Sequence, residues 1–332
     1  MKRAIIFCFS GTGNTERVQG MLTDALNFEG IQADCHRIED CVRNGKIPEI
    51  SGYDTVGIGY PIYAFNVPST VATFIKMMPK TEGKPVFVFK TAGEPFPLNH
   101  SSSWYIHSKL KKRGYDLNYE RHFLMPYNVM FRYRDEVVKQ IYMLSQRLAR
   151  KMAADIAREI ENRPHFNPLT ILVSLLFRIQ WMGAALNGRL QRADRKCNQC
   201  GKCVRECKTD NIRLEKGKIR FGWKCTMCMR CIMFCPQQAI KAGILEPWAV
   251  RGAYDFRRIL NDVSIPGDYI QTCEEGIFKY FKKYVQTIEA LTSPASSQSD
   301  NAADVPAYDA YDDAFGDAED EVETGAMLQP RG

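Results

Sequence analysis

Histidine is scarce here, five in 332 residues. The five are scattered, and none stands with Cys or Asp in a pattern that would activate a nucleophile. His100, His107 and His122 read as surface or internally satisfied groups, so no catalytic residue is nominated. The start has no apolar h-region and cleavage site; Arg3–Phe9 enters directly into a strand pattern. Without a secretory leader, a disulfide framework is not expected, and the cytoplasm is the expected location. Acidic residues are few outside one stretch. Residues 299–332 hold ten of them against one Arg, a net of −9, which leaves +16 on the remainder of a chain whose total is +7. That acidic segment has few large apolar residues and is expected to be disordered. The basic remainder suits nucleic acid or an acidic protein; no nucleic-acid-binding motif accompanies it, so no nucleic-acid partner is expected.

What is present begins with alternating strand and helix signals over 1–162. Ala4–Phe9 is continuously apolar, as in a strand covered on both faces. Val18, Met21, Leu22, Ala25 and Leu26 then follow helical spacing, and Gly30 stops the helix. Further strands are predicted at Ile31–Ile38, Asp54–Tyr60, Pro85–Thr91 and Leu117–Phe123, and helices after Pro68 and from about Asp135 to Glu161. Such alternation predicts a doubly wound α/β parallel sheet.

After Pro164 and Pro168, residues 169–186 are strongly apolar, interrupted by Thr170, Ser174 and Arg178 on one helical face. Arg178 at the centre is costly in lipid. A buried helix joining two domains is the first expectation; an in-plane helix making peripheral membrane contact is the second.

Eight of the twelve cysteines lie between Cys197 and Cys235. The run Cys197, Cys200, Cys203, Cys207 recurs 28 residues later as Cys225, Cys228, Cys231, Cys235, and Ile212 recurs as Ile240. Structural zinc commonly uses separated CxxC pairs. Three cysteines in tight succession followed by a fourth, twice over, match iron–sulfur ligation instead. Residues 194–243 resemble a small α+β bacterial two-cluster ferredoxin. The resemblance implies two [4Fe–4S] clusters, one on Cys197, Cys200, Cys203 and Cys235, the other on Cys225, Cys228, Cys231 and Cys207. Pro236 keeps the family's proline after the fourth Cys; Lys208 replaces it in the first copy, and its positive charge is expected to raise the potential of the Cys207 cluster.

The loop FSGTGNT joins the first strand to the first helix. Gly11 and Gly13 allow close backbone approach, while Ser10, Thr12, Asn14 and Thr15 offer hydrogen bonds at a helix N-terminus, where anions collect. It has no phosphate-binding Lys, and Glu16 occupies the third glycine position of a dinucleotide fingerprint. The loop and element order resemble flavodoxins over roughly the first 150 residues. The resemblance implies FMN, its phosphate on Ser10–Thr15. Tyr60, Pro61, Ile62, Tyr63 and Phe65 of one later loop and Thr91, Ala92 and Gly93 of another would flank its ring.

Together these segments resemble flavodoxin–ferredoxin fusion proteins of anaerobes. The expected organisation is an FMN domain (1–162), an apolar linker (163–193), a cluster domain (194–243), a helical extension (244–298) and the acidic tail (299–332). The implied function is electron transfer between a low-potential carrier, such as an acidic ferredoxin or flavodoxin, the clusters and FMN. A flavin-dependent reductase and a redox sensor without turnover are the alternatives.

Overall fold

The computed structural model describes residues 1–273, 278 and 281–293. The acidic segment, and Ile277 of the helical pattern expected in the extension, lie outside them. Strands β1 (Lys2–Cys8), β2 (Ile31–Arg37), β3 (Thr55–Pro61), β4 (Lys84–Ala92) and β5 (Tyr115–Leu124) form one parallel sheet in the order β2-β1-β3-β4-β5. This is the flavodoxin-like doubly wound order, whose switch point falls between β1 and β3. β1 is interior, and its residues Ala4–Cys8 are all buried, which is why the sequence there does not alternate.

Helices cover both faces. Ile38–Asn44 (α2), Ser69–Met77 (α3) and Trp104–Lys111 (α4) pack on the side of Ile5, Phe7, Val56, Ile58 and Val88. Asn14–Phe28 (α1) and Asp135–Ala157 (α5) pack against each other and the sheet. The expected strands are found within one or two residues at most ends. α2, which the sequence reading did not anticipate, fits between β2 and β3 in only seven residues.

The apolar linker departs from the first expectation. It forms two helices, Pro168–Phe177 (α6) and Gln180–Leu190 (α7), broken at Arg178–Ile179. Asn167 caps α6 by accepting from Leu169 N. The stretch is not buried: only 11% of its most apolar window is covered. The reason is that its polar side chains, not its apolar ones, attach it to the sheet domain.

In the cysteine region, Arg192–Ala193 (β6) pairs with Ile240–Lys241 (β9), and Ile212–Glu215 (β7) with Lys218–Phe221 (β8). The second pair is the hairpin expected to turn at Gly217. The two pairs are copies. Ile212↔Phe221 maps on Ile240↔Ala193, each partner displaced by the 28 residues of the repeat. Two single-turn helices, Lys202–Arg205 (α8) and Arg230–Met233 (α9), repeat at the same interval. Beyond them, Phe256–Asn261 (α10), Tyr269–Thr272 (α11) and Phe281–Leu291 (α12) all pack on α5. Phe281, Val285 and Ile288 are the buried side of α12, and the Tyr284 hydroxyl donates to His122 O.

Candidate functional site

The duplication extends to the backbone around the thiols. Positive φ occurs at Gln199 and Met227, at Gly201 and Met229, and at Asp210 and Gln238, three pairs 28 residues apart. Five of these six are not glycine, and each such residue costs of order 1–2 kcal/mol locally. Chain wrapped tightly around a group on its concave side gives that cost a purpose. Asn211 N approaches Cys207 Sγ at 3.2 Å and Ala239 N approaches Cys235 Sγ at 3.3 Å, again equivalent positions. Such N–H···S bonds stabilise thiolate sulfur.

Cys197, Cys200, Cys203 and Cys235 line one cavity, closed by Phe234 and Ile240. Burial, then Cys197, Cys235 and Cys200, pushes the Cys203 thiol up to about 11. Burial and Cys228 push Cys225 up to about 12. Burial, then Cys228, Cys225 and Cys207, raises Cys231 well above the usual thiol range. Thiols that raise one another when buried need a cationic centre before they can all ionise. Among the described residues no three His, Cys, Asp or Glu side chains converge tightly enough for a single ion. Cys200 is exposed, whereas the other seven cysteines of the repeat are partly covered.

The second group of thiols meets the first loop of the sheet domain. A Cβ built on Gly11 would lie 2.6 Å from the Tyr63 hydroxyl and 2.8 Å from Cys228 Cβ, so only glycine fits. Asn128 Nδ2 donates to Cys228 O at 3.2 Å, and Arg230 Nη1 donates to Gly11 O at 3.2 Å. On the far side, a Cβ on Gly188 of α7 would collide with Cys225 Cβ.

Ser10–Thr15 leads into the N-terminus of α1, with Gly13 at φ 92°. Ser10, Thr12 and Thr15 are buried, and Ser10 Oγ has no partner. Asn14 Nδ2 donates to Pro126 O at 2.7 Å, and the Thr15 and Thr91 hydroxyls are 2.8 Å apart. Thus the first loop and the end of β4 are brought together as expected of a shared site. An orphaned hydroxyl and a glycine cradle at a helix N-terminus fit a phosphate.

The expected ring-flanking residues divide. Tyr60 is fully buried in the core under α3 and α4, its hydroxyl raised well above the usual phenol range by burial and Glu120; a ring used this way has no face left for a cofactor. Phe65 turns outward and meets Phe177 of α6 edge-on, with centroids 5.1 Å apart. Both corrections have one cause: the turn Tyr63–Asn66, with Ala64 and Phe65 at positive φ, redirects the chain toward α6. Tyr63 stays at the junction, its hydroxyl buried without a partner beside Gly11. Pro61 ends β3, and Ile62 N donates to Thr91 O. At Gly93, the Tyr127 ring lies where a side chain would be, and Tyr133 donates to the Gly93 carbonyl at 2.5 Å.

Several junction residues were not foreseen. On α2, Glu39 Oε1 is 2.6 Å from Lys208 Nζ, and Arg43 pairs with Asp210 at 2.8 Å while reaching Cys207 O. Lys208 is therefore not a bare charge beside the thiols, as the sequence suggested; Glu39 neutralises it. Arg230 pairs with Glu206 at 3.0 Å and borders the first cavity as well as Gly11. Nothing in the local sequence around Glu39, Asn128 or Arg230 announces these contacts, because each partner is at least 100 residues away or defined only by the fold.

The protein is thus a flavodoxin-like α/β domain followed by an iron–sulfur cluster domain, an arrangement with a general electron-transfer role. A family model described as a 4Fe-4S dicluster domain matches residues 189–236. A comparison with curated proteins found no match. Among solved structures, the rubredoxin oxygen:oxidoreductase of the anaerobe Desulfovibrio gigas is 18% identical at TM-score 0.37, covering 48% of this chain, which spans 36% of that protein's length. Flavodoxin 2 of Bacillus cereus is 16% identical at TM-score 0.36, covering 48% of this chain and 99% of its own. Megasphaera elsdenii flavodoxin is 24% identical at TM-score 0.30, covering 36% and 84%. At such scores these likenesses carry no argument, and the fold assignment rests on strand order.

Proposed function

We propose that this chain is an electron-transfer protein of the flavodoxin–ferredoxin fusion type, working in the reducing cytoplasm. It holds one [4Fe–4S] cluster on Cys197, Cys200, Cys203 and Cys235, a second on Cys225, Cys228, Cys231 and Cys207, and FMN over Ser10–Thr15. The observation that carries this reading is the contact between Gly11 and Cys228. It sets the phosphate-type loop directly against a ligand of the second cluster. The clusters supply single electrons, and a flavin accepts one or two.

The chain's own residues make that exchange local. Gly11 admits the close approach. Asn128 and Arg230 tie Cys228 and the loop together through backbone carbonyls. Tyr63 fills the remaining space and keeps water from it. The exposed Cys200 puts the first cluster's site toward solvent, where an external carrier docks. Unpaired basic charge on the body favours an acidic ferredoxin or flavodoxin as that carrier.

Anaerobic purification with iron, sulfide and flavin measured together tests the reading. About eight irons and one FMN per chain are expected from two cubes and one flavodoxin-type site. Metal uptake without sulfide, or reduced clusters that never bleach the flavin absorbance of the same chain, would overturn it.

A further inference from the structure

α6 and α7 are amphipathic in the inverse sense for a water-soluble surface. Their polar groups face the protein. Ser101 Oγ and Thr170 Oγ1 are 2.5 Å apart. Ser174 donates to Asn66 Oδ1 at 3.1 Å, and Asn66 Nδ2 donates to Ser174 O at 2.7 Å. Arg178 lies over the Tyr105 ring at 4.7 Å, and Trp181 Nε1 donates to Val67 O at 3.0 Å. The apolar side chains point away: Leu169, Leu172, Leu176, Ile179, Met182 and Leu186 are all exposed, Met182 at 70%. Residues Gly243–Trp248 pack beside α7 and expose Ile244 and Trp248 as well. An apolar patch this continuous marks a surface that another phase covers.

We propose that this face seats the protein on an anionic lipid bilayer, with both helices lying in the plane of the headgroups. Charge on the page selects lipid over a second copy. Arg189, Arg192, Arg195 and Lys196 directly follow the apolar run, are exposed, and stand outside any ion pair among the described residues. Lipid phosphates complement them, whereas a two-fold dimer through the same face would set like charges together. Pro168–Leu190 is long enough to span a membrane by length and composition. Spanning would break the Thr170, Ser174 and Trp181 attachments and the helix is interrupted at Arg178, so the helices lie on the bilayer rather than cross it. Trp248, at the rim, is the residue type that settles at a headgroup boundary.

Anaerobically purified full-length holoprotein should float with vesicles of phosphatidylcholine containing phosphatidylglycerol. Arg192→Glu with Arg195→Glu should lower partitioning roughly fivefold per cation removed. Leu172→Ser, Leu176→Ser and Met182→Ser combined should lower it at least about tenfold, with iron, flavin and near-ultraviolet circular dichroism unchanged because these side chains support no core. Failure to float with either vesicle type, or flotation of the serine variant equal to wild type, would overturn the proposal. So would a wild-type dimer that the serine variant dissolves while neither protein binds vesicles; that outcome assigns the face to a second copy.

Discussion

Replacing Lys208 by Met should destabilise the whole assembly far more than a surface lysine would. Lys208 Nζ lies 2.6 Å from Glu39 Oε1, with side chains only 12% and 3% exposed, and Glu39 Oε2 has no other partner. At that separation the gross attraction is about 6 kcal/mol for an effective dielectric constant near 20. Desolvation offsets much of this, so the pair itself contributes little net stability. Removing one member is different, because it strands a buried charge, at a cost of about 3–5 kcal/mol. Lys208→Met strands Glu39, and Glu39→Met strands Lys208. The double substitution removes both charges and should recover most of the loss, giving a coupling of about 1–3 kcal/mol. Anaerobic urea unfolding followed by tryptophan emission measures all four corners. The same variants also report electrostatics at the Cys207 site: the stranded cation of Glu39→Met should raise that cluster's potential, and the stranded anion of Lys208→Met should lower it. Additive losses, or single losses below about 1 kcal/mol, would refute the buried pair as the clamp between α2 and the cysteine region.

Three other outcomes follow from the site. Gly11→Ala forces a Cβ into Tyr63 and Cys228; bound FMN after desalting should fall at least about tenfold, on the overpacking penalty of 1–3 kcal/mol, whereas Gly183→Ala, which meets open space, should leave it unchanged. Cys228→Ser should halve iron content, from about eight to about four per chain, and uncouple flavin bleaching from reduction of the remaining cluster. Burial, then Lys90 and His100, holds the His122 imidazole down to about 3. The unfolded chain takes up that proton near 6.5, so this stabilisation is complete above about pH 6.5 and is lost as pH falls toward 3. The loss is on the order of 4 kcal/mol, and His122→Gln should flatten that part of the stability profile.

Legibility in the sequence tracked the range of the interaction that left the trace. β1 and α1 announced themselves through periodicity, a property of neighbours along the chain. The cysteine repeat was equally plain, and the structure extends it to residues such as Ala193 and Phe221, whose pairing gives no local signal. Tyr60 and Phe65 illustrate the opposite case. An aromatic beside a loop reads the same whether it enters the core, stacks on α6 or meets a ligand, and only the positive-φ turn at Ala64–Phe65 separates those outcomes. The linker shows it again: hydropathy identified its apolar and polar faces but not which one would turn inward.

The amino-acid order alone determined a parallel sheet, a glycine-rich loop at its switch and two interleaved sets of four thiols, because each depends on spacing within one segment. Only the tertiary structure decided that Gly11 meets Cys228, that Glu39 neutralises Lys208, and that α6 and α7 turn their leucines outward. Those facts depend on which distant surfaces touch, and burial and pairing energies belong to both partners of a contact at once.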